Sequence, residues 1–231
     1  MVESVHASKV LIIFFSLSGQ TKGLLENLAD GLKESGAMVA WERLEPEVRL
    51  RFPLGSFAKT ILMMLTTFFR QRVPIKPLSV SRTAGFDLCI LAGPTWSYNP
   101  SGPVLAFLDR DGNPLLQGRT VLPLISCRGY WRLHWFGLRR LLKKCGAAVP
   151  NCLVFSHPHR EPWRTLGVFL QIAGKPLSRS TFWGRFYKRY GHSERQFEEA
   201  RKLGVELGQA LAAGTPLETL NLRNKIALNL H

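Results

Sequence analysis

Cysteine is scarce in this sequence. Cys89, Cys127, Cys145 and Cys152 are the four present, with no CxxC pair and no Cys/His cluster at zinc spacing, so neither a structural zinc site nor a disulfide framework is expected. The thiols read as reduced, in a cytoplasmic protein. Acidic residues are also few: 16 Asp and Glu stand against 31 Lys and Arg, a net charge of +15 that points to an anionic neighbour rather than to a fold. Long hydrophobic runs are missing as well, so no segment is expected to span a bilayer. Because Glu3 lies near the start and the apolar run begins only at Val10, a cleaved signal peptide is not expected. Internal repeats and low-complexity tracts are absent. What remains is 231 residues at 45% hydrophobic composition, enough for one decorated domain over 1–231.

Lys9 to Phe15 is apolar on both alternating faces, as a central parallel strand covered on both sides requires. Leu24, Leu25, Leu28 and Leu32 then recur at helical spacing, with Gly36 at a left-handed C-terminal cap. Further buried strands are predicted at Met38 to Leu44, Phe86 to Ala92, Thr120 to Ile125 and Cys152 to Phe155. Helical patterns at Val104 to Leu108 and Leu133 to Cys145 separate them. The last helix opens on a capping box, Ser193-Glu194-Arg195-Gln196, and stops at Gly214 before Pro216. Five strands alternating with helices predict an α/β doubly wound parallel sheet. Two basic, aromatic-rich insertions, at about 46–85 and 156–192, exceed that minimal unit. The second carries Trp163, Phe169, Phe182, Trp183, Phe186 and Tyr187.

Three loops leave the same edge of this sheet. Ser16-Leu17-Ser18-Gly19-Gln20-Thr21 joins the first strand to its helix, where backbone N–H groups and short hydroxyls converge as a phosphate needs. Taken alone, such a turn is equally well explained by N-capping. Gly93-Pro94-Thr95-Trp96-Ser97-Tyr98 follows the third strand, and Ser126-Cys127-Arg128-Gly129-Tyr130-Trp131 follows the fourth. Both bring aromatic rings to the switch point of the sheet, where ligands of open α/β sheets bind. Together the three loops favour a planar, phosphorylated ligand.

On those residues the chain resembles the flavodoxin family: Ser-Leu-Ser-Gly-Gln-Thr at 16 to 21 is similar to its phosphate loop, and Gly-Pro-Thr-Trp at 93 to 96 and the loop at 126 to 131 follow suit. The resemblance implies strand order 2-1-3-4-5 and FMN, with its phosphate on residues 16 to 21 and its ring between residues 94 to 98 and 127 to 131. Trp96, Tyr98, Tyr130 and Trp131 are then the candidates to flank the ring. A second, shorter resemblance, in residues 126 to 131 and Gly174-Lys175-Pro176, is to flavodoxin-like proteins of dialkylresorcinol biosynthesis, which implies redox work on a lipid-like molecule. The charge departs from the acidic flavodoxins and argues against a diffusible electron carrier.

Among the candidate groups, Arg128 can stabilise negative charge on a flavin or substrate, or be an ordinary solvated arginine. His157 can move protons with its near-neutral pKa, or be a loop histidine. Cys127 reads as a buried bystander, His134 as a helix-surface residue, and no metal ligands are assigned. The reading is an FMN-dependent oxidoreductase acting on an apolar or lipid-like molecule or reduced by NAD(P)H. Its alternative is a flavodoxin-fold binding or scaffold module without redox turnover. Nucleic-acid binding finds no motif beyond charge, whereas a redox partner protein and a homodimer stay open. The final expectation is peripheral attachment to an anionic membrane surface through Phe52 to Arg72. Phe57, Ala58, Ile61, Leu62, Met64, Leu65, Phe68 and Phe69 share one helical face there, and Arg49, Arg51, Arg70, Arg72 and Lys76 flank it. A lid over the substrate pocket, or a dimer contact, is the competing account of the same helix.

Overall fold

The computed structural model describes residues 7–81, 84–175 and 190–229. The aromatic cluster at Phe182, Trp183, Phe186 and Tyr187, and Pro176 of the second resemblance, lie outside them. Five parallel strands form the sheet: β1 (Lys9–Phe14), β2 (Met38–Arg43), β3 (Leu88–Trp96), β5 (Val121–Cys127) and β6 (Leu153–Ser156), in the order β2-β1-β3-β5-β6. The two-residue β4 (Asn99–Pro100) pairs antiparallel with the end of β3. With β4 left out of the count, the strands succeed one another as expected. Register is continuous from the edge inward, with Val10 opposite Val39 on one side and Leu88 on the other.

Alternation along the buried strands divides the interior into two layers. Val10, Ile12, Leu88, Ile90, Leu122 and Phe155 face α1 (Gln20–Glu34) and α7 (Glu194–Ala213). Leu11, Ile13, Leu91, Val121, Ile125 and Val154 face α3 (Gly102–Phe107), the π turn and short α4 (Asn113–Leu116) after it, and α5 (Trp131–Lys144). The expected caps are present: Ser193 and Gln196 form a reciprocal capping box, and Gly36 and Gly214 are left-handed at φ 84° and 65°. A final short helix, α8 (Lys225–Leu228), lies against β6.

The two insertions each contribute a helix, α2 (Phe57–Phe68) and α6 (Trp163–Ile172), and the two meet. Phe57 stacks on Phe169 at 5.7 Å, and the Leu54 N–H donates to the Ile172 carbonyl at 2.7 Å. The β3–β4 hairpin holds the far end of α2. Ser97 and Tyr98 form its two-residue turn at φ 44° and 68°, the left-handed pair such a turn demands. Asn99 is buried and donates to the Thr67 and Phe68 carbonyls at 3.2 and 3.1 Å while accepting from Arg70 Nε at 2.8 Å. Asn99 thus ties down the last carbonyls of α2, of which Thr67's also accepts from the Arg70 N–H at 3.1 Å, and Asn99→Ala is expected to loosen that helix by about 1–3 kcal/mol. Limited trypsin digestion should then cut at Lys59 or Arg70 faster than in wild type, with the sheet melting little changed.

Candidate functional site

α1 begins without a side-chain cap. Its N-cap is Gly19, left-handed at φ 82° and without a side chain to accept from the first turn, and that turn carries no acidic residue. The first-turn amides therefore point at the space beside the loop with the partial positive charge of a helix N-terminus. Ser16 Oγ accepts from the Lys22 N–H at 3.3 Å, and Ser18 Oγ accepts from the Tyr190 hydroxyl at 3.3 Å. Each serine keeps its own proton to donate outward. Amides, hydroxyls and no carboxylate form a donor set that fits a phosphate ester.

Beside this loop lies a cavity of about 130 Å³ lined by Leu17, Ser18, Gln20 and Thr21, by Pro94, Thr95 and Trp96, and by Ser126, Cys127 and Arg128. The three loops do converge. A second cavity of about 310 Å³ adjoins it, lined by Ser97, Tyr98 and Tyr130 and by α2 and α6. Both cavities share Met63, Thr95, Trp96, Arg128, Val168 and Ile172. Ser16, Gly19 and Gly129 support the loops without lining either. Gly129 has a positive φ of 148°, and a Cβ there would lie 2.7 Å from Arg164 Nη1, so the Arg164 guanidinium fills the room a side chain would need.

The aromatic candidates divide. Trp96 is half-buried, packs edge-on against Phe15 at 5.5 Å and lines both cavities. Tyr98 and Tyr130 meet edge-to-face at 5.7 Å on the rim of the second. Trp131 lines neither: it opens α5, packs on the layer beneath, and lies under Arg132 and Arg223 at 5.1 and 5.8 Å.

Three buried histidines, His134, His157 and His192, stand around these loops. His134 is not on the helix surface but buried, its Nδ1 2.6 Å from Thr95 Oγ1, and burial lowers its pKa to about 3. The surface assignment fails because α5 turns this position toward the end of β3, where the imidazole ties the 94–98 loop to the helix. His157 lines the first cavity and accepts from the Gly191 N–H at 3.1 Å. Burial first, then His159, His192, Arg164 and Arg128, bring its pKa down to about 3, so near neutrality it is an uncharged acceptor. His192 had no role in the sequence reading. Its N–H donates to Gln20 Oε1 at 2.8 Å, and its Nε2 lies 2.8 Å from Ser126 Oγ. With Tyr190 against Ser18, residues 190–192 close over the phosphate-type loop. Local sequence carries no sign of this contact, which spans 172 positions. Cys127 is a buried thiol whose pKa desolvation pushes up to about 12, so it stays protonated near neutrality. All four cysteines are free and buried.

A parallel sheet in this order, with the site at the carboxyl ends of β1, β3 and β5, defines a flavodoxin-like α/β protein. A flavoprotein in complex with FMN from Lactobacillus acidophilus superposes with a TM-score of 0.50 at 19% identity, over 63% of this chain and 92% of that one. A flavodoxin from the domain Archaea gives 0.49 at 12% identity, over 88% of this chain and 98% of its own. An NAD(P)H dehydrogenase (quinone) of Cupriavidus metallidurans is 28% identical over 111 residues, 48% of this chain and 50% of the relative. The chain thus spans half the length of that curated relative. No family model matches.

Proposed function

We propose that this protein binds one FMN and works as an oxidoreductase on an apolar or lipid-like acceptor, with NAD(P)H as the reductant. The observation that carries the reading is the joining of two cavities at Arg128, one beside a phosphate-type loop and the other walled by Met, Phe and Tyr. FMN, when bound, supplies the centre that exchanges hydride. The first-turn amides of α1 with Ser16, Ser18 and Thr21 hold its phosphate, and Trp96 with the 126–128 loop bounds its ring. Arg128, which lines both cavities, would place a permanent positive charge where they join and so favour negative charge developing there. Met63, Met64, Phe68 and Phe169 exclude water and select an apolar, ring-bearing molecule. The names of the flavoprotein and quinone dehydrogenase relatives agree with this chemistry.

Titration of FMN with the purified protein is expected to quench flavin fluorescence at one FMN per chain, and NAD(P)H added without air should bleach the flavin absorbance. Gly19→Val should weaken binding roughly tenfold to a hundredfold, because a β-branched residue at φ 82° costs about 1–2 kcal/mol or more and turns its methyls toward the anion. Unquenched FMN at high protein concentration would leave the second reading, a flavin-free binding module. The hydrogen bonds that Tyr190 and His192 already make into the phosphate-type loop favour that reading.

A further inference from the structure

We propose that the outward face of α2, continued by α5, seats the protein on an anionic lipid surface. The seating of α2 is inverted with respect to a soluble amphipathic helix. Its hydroxyl side faces the protein: Thr60 and Thr67 are buried, Thr60 Oγ1 donates to the Ser56 carbonyl at 2.8 Å, and Thr67 Oγ1 lies 2.7 Å from Ser97 Oγ. Ile61, Leu62, Leu65, Phe68 and Phe69 face away, and Phe69 is 76% exposed. Asn99 and Ser97 hold this orientation from below, so the apolar face cannot turn inward without breaking their hydrogen bonds.

The patch does not end with α2. Arg70 Nη2 lies 3.4 Å from where a Cβ would stand at Gly137, so the end of α2 abuts α5. There Leu133 and Phe136 are 65% and 70% exposed, and Arg140 shares their face at helical spacing. Not one residue of α2, α5 or α6 is acidic. Lys59 on α2 and Arg140 on α5 add positive charge beside the apolar residues, and Lys143 and Lys144 continue it in the last turn of α5, in a chain of net charge +15. An apolar stripe edged by cations and free of carboxylates complements a membrane surface bearing anionic headgroups. At 12 residues α2 is too short to cross a bilayer and fits one lying in the headgroup plane. The cations differ in part from those the sequence suggested, because Arg72 is paired with Asp109 at 2.6 Å and Lys76 with Glu45 at 3.0 Å. Leu65, Phe68, Tyr98 and Tyr130 of this surface also rim the second cavity. If the oxidoreductase reading holds, its acceptor enters from the lipid side.

The test is cosedimentation of the full chain with phosphatidylcholine vesicles, with and without phosphatidylserine, using both flavin-free and FMN-loaded protein so that the result does not depend on flavin binding. Wild type should pellet with the phosphatidylserine vesicles and be released by added salt. Phe68→Glu/Phe69→Glu and, separately, Leu133→Glu/Phe136→Glu should reduce the bound fraction about tenfold or more. Met38→Glu, exposed at the far end of β2, should bind as wild type does. Circular dichroism of each variant separates lost binding from lost folding. The proposal is overturned if wild type stays in the supernatant at low salt, if both double variants pellet like wild type, or if vesicles without phosphatidylserine bind it equally. It is also overturned if light scattering shows a dimer that the Phe68→Glu/Phe69→Glu change dissociates while vesicles bind neither form.

Discussion

Lowering the pH from about 7 to about 5 is expected to cost the flavin-free protein roughly 2 kcal/mol for each of His134, His157 and His192. Burial is the first cause at all three and lowers their pKa values to about 3, about 3 and about 4. The folded protein holds these imidazoles neutral, whereas the unfolded chain protonates them near pH 6.5, so acid favours the unfolded state. Their contribution is complete above that pH and is lost as the pH falls through the window down to the folded values. Carboxylates remain largely ionised above pH 5, so the histidines dominate there. The combined loss is comparable to the whole stability of many domains. Thermal melts across this range should show a steep fall in Tm, and His134→Gln, which keeps an acceptor for Thr95, should make it shallower. A melting temperature independent of pH down to about 5 would contradict the assigned burial of all three rings.

Gly31→Ala is expected to destabilise the protein by about 3 kcal/mol or more, and Gly31→Val to prevent folding. A Cβ at Gly31 would lie 2.0 Å from the Arg201 carbonyl oxygen, and one at Gly204 would lie 2.1 Å from that of Leu28. The obstacles are backbone atoms, so no side chain can rotate away. α1 and α7 would have to separate, opening the layer where Leu24, Leu28, Leu203 and Leu207 are buried. At roughly 2–4 °C of Tm per kcal/mol for a chain of this size, the alanine variant should melt about 6–12 °C lower. Gly85→Ala is the control, since nothing lies within 4 Å of that position. Equal melting of all three proteins would mean that the two helices do not cross here.

Much of this was legible in the sequence because it depends on near neighbours. Both faces of Lys9 to Phe15 are apolar, which allows only a strand covered on both sides, and Gly36, Gly214 and the Ser193–Gln196 box mark helix ends through local backbone geometry. The phosphate-type loop was readable for the same reason: its hydroxyls and its left-handed glycine lie within six consecutive positions. β3 extends beyond its predicted end at Ala92 to Trp96 because its last residues pair with Asn99 and Pro100, a hairpin whose positive-φ turn at Ser97 and Tyr98 uses neither glycine nor asparagine. Spacing correctly grouped the apolar residues of α2, yet it could not show that they face out, since that depends on Ser97 and Asn99 some thirty positions away. His134 was misjudged on the same ground, as its surroundings come from β3. The layered parallel sheet, the helix caps and the loop at 16–21 follow from side-chain periodicity and local dihedral preference alone. That α2 and α6 wall a second cavity, that residues 190–192 close over the first, and that His134, His157 and His192 are buried all rest on contacts between groups far apart in the chain, which no local pattern encodes.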